Sequence, residues 1–460
     1  MSRNRPLIFN AFNIFSASHH DQGMWAFPGS RQLEYNSIDY WVDLAQLLER
    51  AHFDTLFFAD VLAPYETFAN SRELAVRSGM QFPINDPGEL IPALAYATKD
   101  LGFVLTQNIL QEPPYTFARK MSTLDHLTRG RIAWNIVTTF LPGAGRNLGF
   151  AGLPEHEDRY ARAEDFVDVV YKLWEASWED DAVLRDVVTQ RYSDPAKIHE
   201  IGHVGPFYDV VGPHLSEPSP QRTPLLVQAG VSPRGRGFAG ANAEALFINS
   251  LTPDAAAPIV ADVRAATVAA GRRADQVRLL AILGFVVGST EAEAKRLHEE
   301  ITDFQSIEAN LAKQSVFLGH DFSQYDPNEP ISDLAKRPEG QTGIVADLIA
   351  MAPHTRLTIG ELVRWYGNLR VVGTPEQIAD HVQAWADAGV DGLNVQYVTS
   401  PGTFEDFADH VAPELVSRGL MQDRYRPGTL REKFFPGQGP FLPAEHRARG
   451  FRRAAFGPDA

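Results

Sequence analysis

One stretch of the chain combines an apolar run, a glycine and a serine–proline pair in an order that suits anion binding. The apolar run at 225–227 stops at Gly230, and Ser232 and Pro233 follow. Serine is a good N-cap of a helix, and proline suits the first helical position, where its missing N–H costs nothing. Because free N–H groups at a helix start attract negative charge, the stretch predicts a phosphate site at Ser232. An ordinary capped helix explains the same pattern, so both interpretations stay open here.

The residues after this helix start contain a second pattern, and they also add positive charge. Arg234 and Arg236 lie near the predicted anion site, and residues 235–240 match G-x-G-x-x-G. A dinucleotide fingerprint has to form the turn that opens the helix, directly after a strand. If Ser232 caps the helix, these glycines fall inside its first two turns, where they allow a close neighbour but form no pyrophosphate turn. We therefore reject a dinucleotide-binding interpretation and keep the phosphate interpretation.

Polar residues also stand at or near the ends of several short apolar runs. If the runs are parallel strands of a barrel, their carboxyl ends meet at one mouth, where barrel enzymes hold their active sites. A simple polar strand end is the alternative for any one of them. The set consists of Asp60, Thr106, Asn135, Thr138, Gln228 and Asn249.

A charge-dense segment at 155–162 precedes an apolar helical pattern and contains two aromatic rings. His156 and Tyr160 are spaced i, i+4, so both can face one ligand from a helix start. Histidine and tyrosine together offer hydrogen bonds and a flat surface, which suits a planar heterocycle. A solvated helix face is the alternative interpretation of the segment.

Two histidine patterns could indicate a metal. His199 and His203 form an H-E-x-x-H motif, but Gly202 inside it and the proline at 206 disfavour the helix that a zinc site needs. His19 and His20 are adjacent, and adjacent side chains of an extended segment point in opposite directions. We therefore expect no metal site, and we expect one histidine of the pair to face a pocket.

The elements that would position these residues alternate between strands and helices. Because the count closes at eight strands, the pattern predicts an α/β fold, a TIM (β/α)8 barrel with large insertions, formed by residues 1–460 as one domain. Segments at about 177–223 and 305–370 do not resolve into strand–helix units and are predicted to be insertions, and about 400–460 forms a C-terminal extension. The predicted strands lie near 7–12, 55–60, 102–106, 131–138, 225–227, 245–249, 279–287 and 392–397.

Composition narrows the classes of partner. The chain has 460 residues, of which 44% are hydrophobic and 22% charged, as is typical of globular proteins. No apolar run approaches the roughly 20 residues of a membrane span. A net charge of −16 argues against a nucleic-acid partner, and the absence of cysteine excludes disulfides and thiolate metal sites. We expect a cytoplasmic protein with no membrane partner.

Several longer motifs occur in one order along the chain and are more specific than any of these short patterns. They resemble the branch of the bacterial-luciferase-like flavin monooxygenases that contains nitrilotriacetate monooxygenase, pristinamycin synthase and dibenzothiophene-sulfone monooxygenase. The likeness continues from the first strand to Pro427-Gly-Thr-Leu-Arg431. The motifs are Gly130-Arg-Ile-Ala-Trp-Asn-Ile-Val-Thr138, Arg146-Asn-Leu-Gly149, Glu155-His-x-x-Arg-Tyr-x-Arg-Ala-x-x-Phe166 and Gln228-Ala-Gly-x-Ser-Pro-Arg-Gly-Arg236.

The resemblance implies a barrel that binds FMN as reduced FMN, which a separate NAD(P)H:FMN reductase supplies. With dioxygen, such a two-component monooxygenase oxygenates a small organic substrate, and the resemblance suggests a homodimer or homotetramer. His20 is implied as a catalytic residue on the substrate side, and the insertion at 305–370 is our candidate lid. The flavin-binding residues implied by matching motif are Asp60, Thr106, Asn135, Thr138, His156, Tyr160, Gly230 and Ser232.

The chain departs from the family at one point that bears on the substrate. The family continues after its tryptophan with Arg-His-Pro, whereas this chain has Trp25-Ala-Phe-Pro28, which makes the neighbourhood less cationic. The substrate preference of the family's members is therefore not transferred to this chain. The alternatives are a deazaflavin-dependent oxidoreductase of the same superfamily and a non-catalytic flavin-binding barrel; a metal hydrolase rests only on the histidine motif.

Overall fold

The computed structural model describes residues 5–230, 232–248, 250, 252–367 and 369–452. Its strands are β1 (Ile8–Ile14), β2 (Thr55–Ala59), β3 (Gly102–Asn108), β4 (Ile132–Val137), β5 (Val183–Asp186), β6 (Arg191–Ser193), β7 (His203–Val204), β8 (Asp209–Val210), β9 (Leu225–Ala229), β10 (Ala245–Phe247), β11 (Arg278–Leu283), β12 (Phe285–Val287), β13 (Val371–Gly373) and β14 (Gly392–Gln396).

The α-helices fill the connections between the strands and the chain after them. They are α1 (Ile38–Arg50), α2 (Glu73–Ser78), α3 (Ile91–Ala97), α4 (Pro114–Thr128), α5 (Pro142–Asn147), α6 (His156–Tyr171), α7 (Pro233–Asn242), α8 (Pro253–Ala269), α9 (Glu291–Phe304), α10 (Ile307–Leu318), α11 (Ile331–Leu334), α12 (Gly343–Met351), α13 (Ile359–Gly367), α14 (Pro375–Asp387), α15 (Gly402–Asp406), α16 (Ala412–Ser417) and α17 (Leu430–Phe434). Among the residues described, no helix is long and apolar enough to cross a membrane.

Eight strands form a closed barrel in the order β1-β14-β11-β10-β9-β4-β3-β2, and β1 pairs with β2 to close it. All the pairings around the barrel are parallel. Each of these strands coincides with one predicted from the sequence, so the TIM-barrel prediction is confirmed.

The predicted strand at 279–287 is wrong in its length. It breaks at Gly284: β11 stays in the barrel, whereas β12 leaves it and pairs with β13. A side chain at Gly284 would bring its Cβ within 3.3 Å of the Arg370 Cβ, so glycine allows the two segments to approach at the break. Sequence alternation did not reveal this change of sheet because both halves are apolar.

The two segments predicted as insertions have different structures. Residues 177–223 contain two small antiparallel sheets, β5 with β6 and β7 with β8. Residues 305–370 contain α10 to α13, which pack around their own apolar cluster of Leu311, Phe322, Leu334 and Leu362. The division of the chain as one domain with insertions stays a prediction.

The end of the barrel at which the strands begin is closed by the C-terminal extension. Leu430, Phe434 and Phe435 pack in one apolar cluster with side chains from seven of the barrel strands. Gly102 at the start of β3 allows this contact, because a Cβ there would lie 2.7 Å from the Leu430 Cδ1. We call this end the closed end, and the opposite end the mouth.

Arg431 anchors the closed end. Its side chain is fully buried, and its Nε and Nη2 donate to the Glu244 carboxylate at 2.7 and 2.8 Å. The guanidinium also donates to the carbonyl oxygens of Thr223 at 2.9 Å and Pro440 at 2.6 Å. A buried ion pair is tolerated when further hydrogen bonds satisfy both charged groups, and here they do.

Candidate functional site

A cavity of about 330 Å³ opens at the mouth, beside the carboxyl ends of β2, β3, β4 and β9. Pockets that take small molecules commonly span roughly 300–1,000 Å³. Its lining consists of Asp60, Val61, Leu62, Thr106, Asn108, Val137, Thr138, Thr139, Phe140, His156, Arg159, Tyr160, Ala229, Gly230 and Ser232.

The start of α7 forms one wall of this cavity. Ser232 is the N-cap, and its Oγ accepts a hydrogen bond from the Gly235 N–H at 3.0 Å, with Pro233 at the first helical position. The Arg236 N–H donates to the Ser232 backbone oxygen at 2.8 Å, which leaves the Arg234 N–H at the positive end of the helix dipole. The predicted cap and helix start are therefore confirmed, and the geometry suits an anion.

The glycines of α7 serve close packing. A Cβ at Gly235 would lie 2.8 Å from the Tyr160 hydroxyl, and a Cβ at Gly240 would lie 2.8 Å from the backbone of Ala266. Gly235 and Gly240 fall inside the helix, as predicted, and form no turn before it. The rejection of the dinucleotide fingerprint is consistent with this placement.

His156 and Tyr160 stand on the first turns of α6, whose first residue is His156. Their ring centroids lie 5.0 Å apart, and both rings line the cavity. Burial raises the pKa of the Tyr160 hydroxyl, against hydrogen bonds to the Ser232 and Gln228 side chains that lower it. The predicted i, i+4 pair thus presents two rings to one space, next to the α7 helix start.

The arginine that lines the cavity beside the helix start is not one of the two that the sequence suggested. Arg234 binds the carboxylate of Glu164 at 2.8 Å, and Arg236 binds that of Asp262 at 3.2 Å. Arg159 lines the cavity instead, and its buried Nε has no hydrogen-bond partner among the residues described. The sequence pattern that could have indicated Arg159 is its spacing: it lies three residues after His156, on the same face of α6.

Polar side chains of β4 and β9 lie next to residues that line the cavity. The Asn135 Nδ2 donates to the Thr106 Oγ at 2.9 Å, which joins β4 to β3. The Asn135 Oδ1 and the Gln228 Oε1 are buried and, within the described part of the chain, have no hydrogen-bond partner. Each of these two oxygens is therefore available to accept a hydrogen bond from a ligand.

Asp60 follows β2 at the edge of the cavity. Burial and, to a smaller extent, the nearby negative charge of Asp86 raise the pKa of its carboxyl to about 7, against a hydrogen bond from the Val61 backbone that lowers it. A carboxyl with a pKa near neutrality can hold or release a proton under physiological conditions.

His19 and His20 lie on another side of the mouth and do not line the cavity. Their ring centroids are 4.0 Å apart, and both rings pack on Phe12 of β1. The expectation that the two side chains point in opposite directions is therefore wrong, because the segment bends here and is not extended. Burial, with the positive charge of Lys313, lowers the pKa of both imidazoles well below the usual value.

Seven of the nine site residues implied by the resemblance line one cavity: Asp60, Thr106, Thr138, His156, Tyr160, Gly230 and Ser232. Asn135 bonds to one of these seven, and His20 lies apart from them. Asn249 lies outside the described residues. Besides Arg159, the lining residues that sequence reasoning missed include Asn108, Thr139 and Phe140, which follow or end barrel strands and carried no motif of their own.

The H-E-x-x-H motif has no helix. His199 bonds to Glu179 at 2.8 Å, and His203 in β7 bonds to Asp165 at 2.9 Å, so each histidine already has a carboxylate partner. In residues 5–452, leaving aside the undescribed positions, no group of three histidine or acidic side chains is arranged to hold a metal ion.

Comparison with known proteins links this architecture to characterised enzymes. A family profile described as luciferase-like monooxygenase matches residues 11–392. The chain is 42% identical to the long-chain alkane monooxygenase of Geobacillus thermodenitrificans, over 97% of this chain and 98% of that protein. It is 34% identical to nitrilotriacetate monooxygenase component A of Aminobacter aminovorans, over 91% and 94%. The crystal structure of DmoA from Hyphomicrobium sulfonivorans superposes with a TM-score of 0.92 at 39% identity, over 97% and 96%.

Proposed function

The chain belongs to the luciferase-like monooxygenase family, and we propose that it is the oxygenase component of a two-component enzyme that uses reduced FMN. A separate NAD(P)H:FMN reductase supplies the reduced flavin, and dioxygen supplies the atom transferred to a small organic substrate. The observation that carries this proposal is the single cavity lined by a capped helix start, two aromatic rings and the carboxyl ends of barrel strands, with the unpartnered amide oxygens of Asn135 and Gln228 on residues next to its lining.

The residues of the cavity match the chemical groups of FMN. The Ser232 hydroxyl and the Arg234 N–H at the start of α7 suit the phosphate, with Arg159 as the nearby cation. The unpartnered oxygens of Asn135 and Gln228 suit the N–H groups of a flavin ring. The rings of His156 and Tyr160 suit a flat heterocycle. Reduced FMN, when bound, supplies the chemistry that activates dioxygen and inserts one oxygen atom into the substrate.

The protein's own contribution is orientation, exclusion of water and placement of protons. Val61, Leu62, Val137 and Phe140 give the cavity apolar walls, which limit the water that reaches a reactive centre. Asp60, whose pKa burial raises to about 7, can hold a proton at the cavity edge. We also propose that the helices at 305–370 act as a lid, which predicts that FMN changes protease sensitivity in this segment.

The relatives' names leave the substrate open within this reaction. One acts on long-chain alkanes and another on nitrilotriacetate, so the family includes both neutral and anionic substrates. Which atom of the substrate receives oxygen stays outside the proposal. We also propose that the protein is cytoplasmic and assembles as a homodimer or homotetramer.

The direct test is an absorbance titration of the purified protein with FMN, followed by addition of reduced FMN under air. We expect saturable binding of reduced FMN and substrate-dependent oxygen consumption with one product per dioxygen consumed. Absence of binding in either redox state would overturn the FMN assignment and favour the deazaflavin alternative. Binding without substrate turnover would favour a non-catalytic flavin-binding barrel.

His20→Ala tests the substrate side of the site. We expect loss of oxygenation with FMN affinity retained, because His20 does not line the cavity that we assign to FMN. His410→Ala, which changes an exposed histidine, is the control and should have no effect. Normal product yield from the His20→Ala enzyme would remove His20 from the reaction.

A further inference from the structure

A cluster of buried polar side chains lies between the loop at 18–22 and the helix α10. Lys313 of α10 is only 4% exposed, and its Nζ donates to the backbone oxygen of His20. Asp21 accepts hydrogen bonds from Gln305 at 2.7 Å and Arg370 at 2.6 Å. The mouth of the barrel therefore has a second polar region besides the cavity.

The charges of this cluster do not balance. Asp21 is neutralised by Arg370, with both side chains less than one-tenth exposed. Among the described residues, no carboxylate oxygen lies within 4.0 Å of the Lys313 Nζ. Its acceptor is a neutral carbonyl, and a buried cation without a counter-charge is unfavourable. The cluster has one positive charge in excess.

One imidazole nitrogen beside Lys313 is free to donate to a ligand. The Nε2 of His20 is buried and has no hydrogen-bond partner in the part of the chain that the structure describes. The imidazole of His19 has a hydrogen bond with the Phe12 backbone, so its unpartnered Nδ1 is an acceptor in the neutral ring. His19 as a whole is 2% exposed. A carboxylate accepts hydrogen bonds from both ammonium and imidazole N–H groups, and bonds to charged groups are the stronger ones.

The cluster adjoins the cavity through aromatic side chains. Phe12 packs on both imidazoles and, at 5.8 Å between ring centroids, on Phe247 at the end of β10. Phe247 is the register partner of Ala229, which lines the cavity. Phe12 and Phe247 therefore stand between the cluster and the cavity.

We propose that Lys313 and His20 form a recognition site for a carboxylate group of the substrate. The inference deepens the proposed function, on which it rests: the oxygenated molecule is an organic acid whose apolar part lies toward the cavity and whose carboxylate binds the cluster. Lys313 supplies the charge, and the His20 imidazole supplies a directional hydrogen bond. The site selects organic acids over neutral molecules of equal length.

Lys313 also contacts the loop, so a purely structural role has to be separated from recognition. Its Nζ links α10 to residue 20, and the ring of Phe317 lies 6.0 Å away. A structural tie would affect every ligand equally when removed. A recognition role would affect only anionic ligands, so the ratio of two affinities distinguishes the roles.

The test is isothermal titration calorimetry of the protein with octanoate and with 1-octanol at pH 6.5, with and without FMN. We expect octanoate to bind roughly tenfold more tightly than octanol, as suits a charge-assisted contact. Lys313→Met should bring the two affinities within about twofold, and Lys313→Arg should retain part of the preference. Lys336→Met, which changes an exposed lysine in the same insertion, should leave the preference unchanged.

Equal binding of the two ligands by the unchanged protein would overturn the proposal. So would a preference that survives Lys313→Met, or a loss of affinity for both ligands alike. Acetate tests the source of selectivity: displacement of octanoate by millimolar acetate would indicate a general anion site and contradict recognition of a whole organic acid. A preference for octanoate without any FMN binding would contradict the proposed function and leave the site standing.

The pH dependence gives a second measurement. Burial lowers the pKa of Lys313 to about 8, with Arg370 lowering it and Asp21 raising it. Because the ammonium form is present below this value, the preference for octanoate should be full at pH 6.5 and fall as pH rises through about 8. His19 and His20, which face Lys313 from the loop, have pKa values well below 6.5 and stay neutral over this range. A preference that persists at pH 9.5 would contradict the assignment of the charge to Lys313.

Discussion

The two ends of the barrel treat buried polar groups in opposite ways. At the closed end, Arg431 and Glu244 form a two-bond ion pair, and backbone carbonyls take the remaining donors of the guanidinium. At the mouth, Asn135 and Gln228 each leave a buried amide oxygen without a partner among the described residues. Both sets of side chains are polar and buried, yet only the Arg431–Glu244 pair is satisfied by partners within the protein.

This difference separates stability from function. A satisfied polar network contributes to a unique fold, whereas an unsatisfied one costs free energy unless a ligand completes it. The closed end should therefore determine the stability of the empty protein, and the mouth should determine its affinity for FMN. Mutations at the two ends test this assignment. It would be contradicted if a mutation at the closed end changed mainly FMN affinity, or if one at the mouth changed mainly the stability of the empty protein.

The largest effect is expected at the closed end. Arg431→Met removes one partner of a buried ion pair and leaves the Glu244 charge uncompensated, which typically costs about 3–5 kcal/mol of unfolding free energy. Urea unfolding followed by circular dichroism measures this change. Arg424→Met, at a side chain that is 88% exposed, should change the unfolding free energy by less than about 0.5 kcal/mol. A similar small change for Arg431 would contradict the role of the pair.

The sequence predicted the mouth better than the closed end. Strand ends and a capped helix start are local patterns, so Asp60, Thr106 and Ser232 could be placed in one site before the structure was known. The partner of Arg431 is 187 residues away, and no local pattern encodes such a contact. The segment around it was predicted only as an extension.

Two errors at the mouth have the same physical origin. The rings of His19 and His20 share one side because the loop bends, and Arg159 replaces Arg234 at the cavity because Arg234 binds Glu164. Both outcomes depend on tertiary contacts that compete for a side chain. Periodicity gives the face of an element but not the partner that finally binds each charge.

A smaller effect is expected at the helix start of the mouth. Ser232→Ala removes the cap hydrogen bond beside the cavity, and we expect FMN affinity to fall by about 0.5–2 kcal/mol. Thr290→Ala is a matched control, because Thr290 caps α9 in the same way and does not line the cavity. It should cost similar stability and leave FMN affinity unchanged. Equal FMN affinity for the Ser232→Ala protein would remove Ser232 from the site.

The smallest effect sets an asparagine with one unpartnered amide oxygen against an asparagine with both amide atoms bonded. Asn135→Ala removes an oxygen that has no partner in the described chain, so FMN affinity should fall by about 0.5–1.5 kcal/mol. The unfolding free energy should fall only by the loss of volume and of the one hydrogen bond to Thr106. Asn242 is equally buried, but its amide bonds to Phe238 at 3.0 Å and to Tyr171 at 3.1 Å. Asn242→Ala should therefore lower the unfolding free energy by about 1–3 kcal/mol and leave FMN affinity unchanged. Parallel unfolding and FMN titrations of both variants measure the two quantities. If Asn135→Ala left FMN affinity unchanged, its unpartnered oxygen would not contact the flavin, and the mouth would not be the end that awaits a ligand.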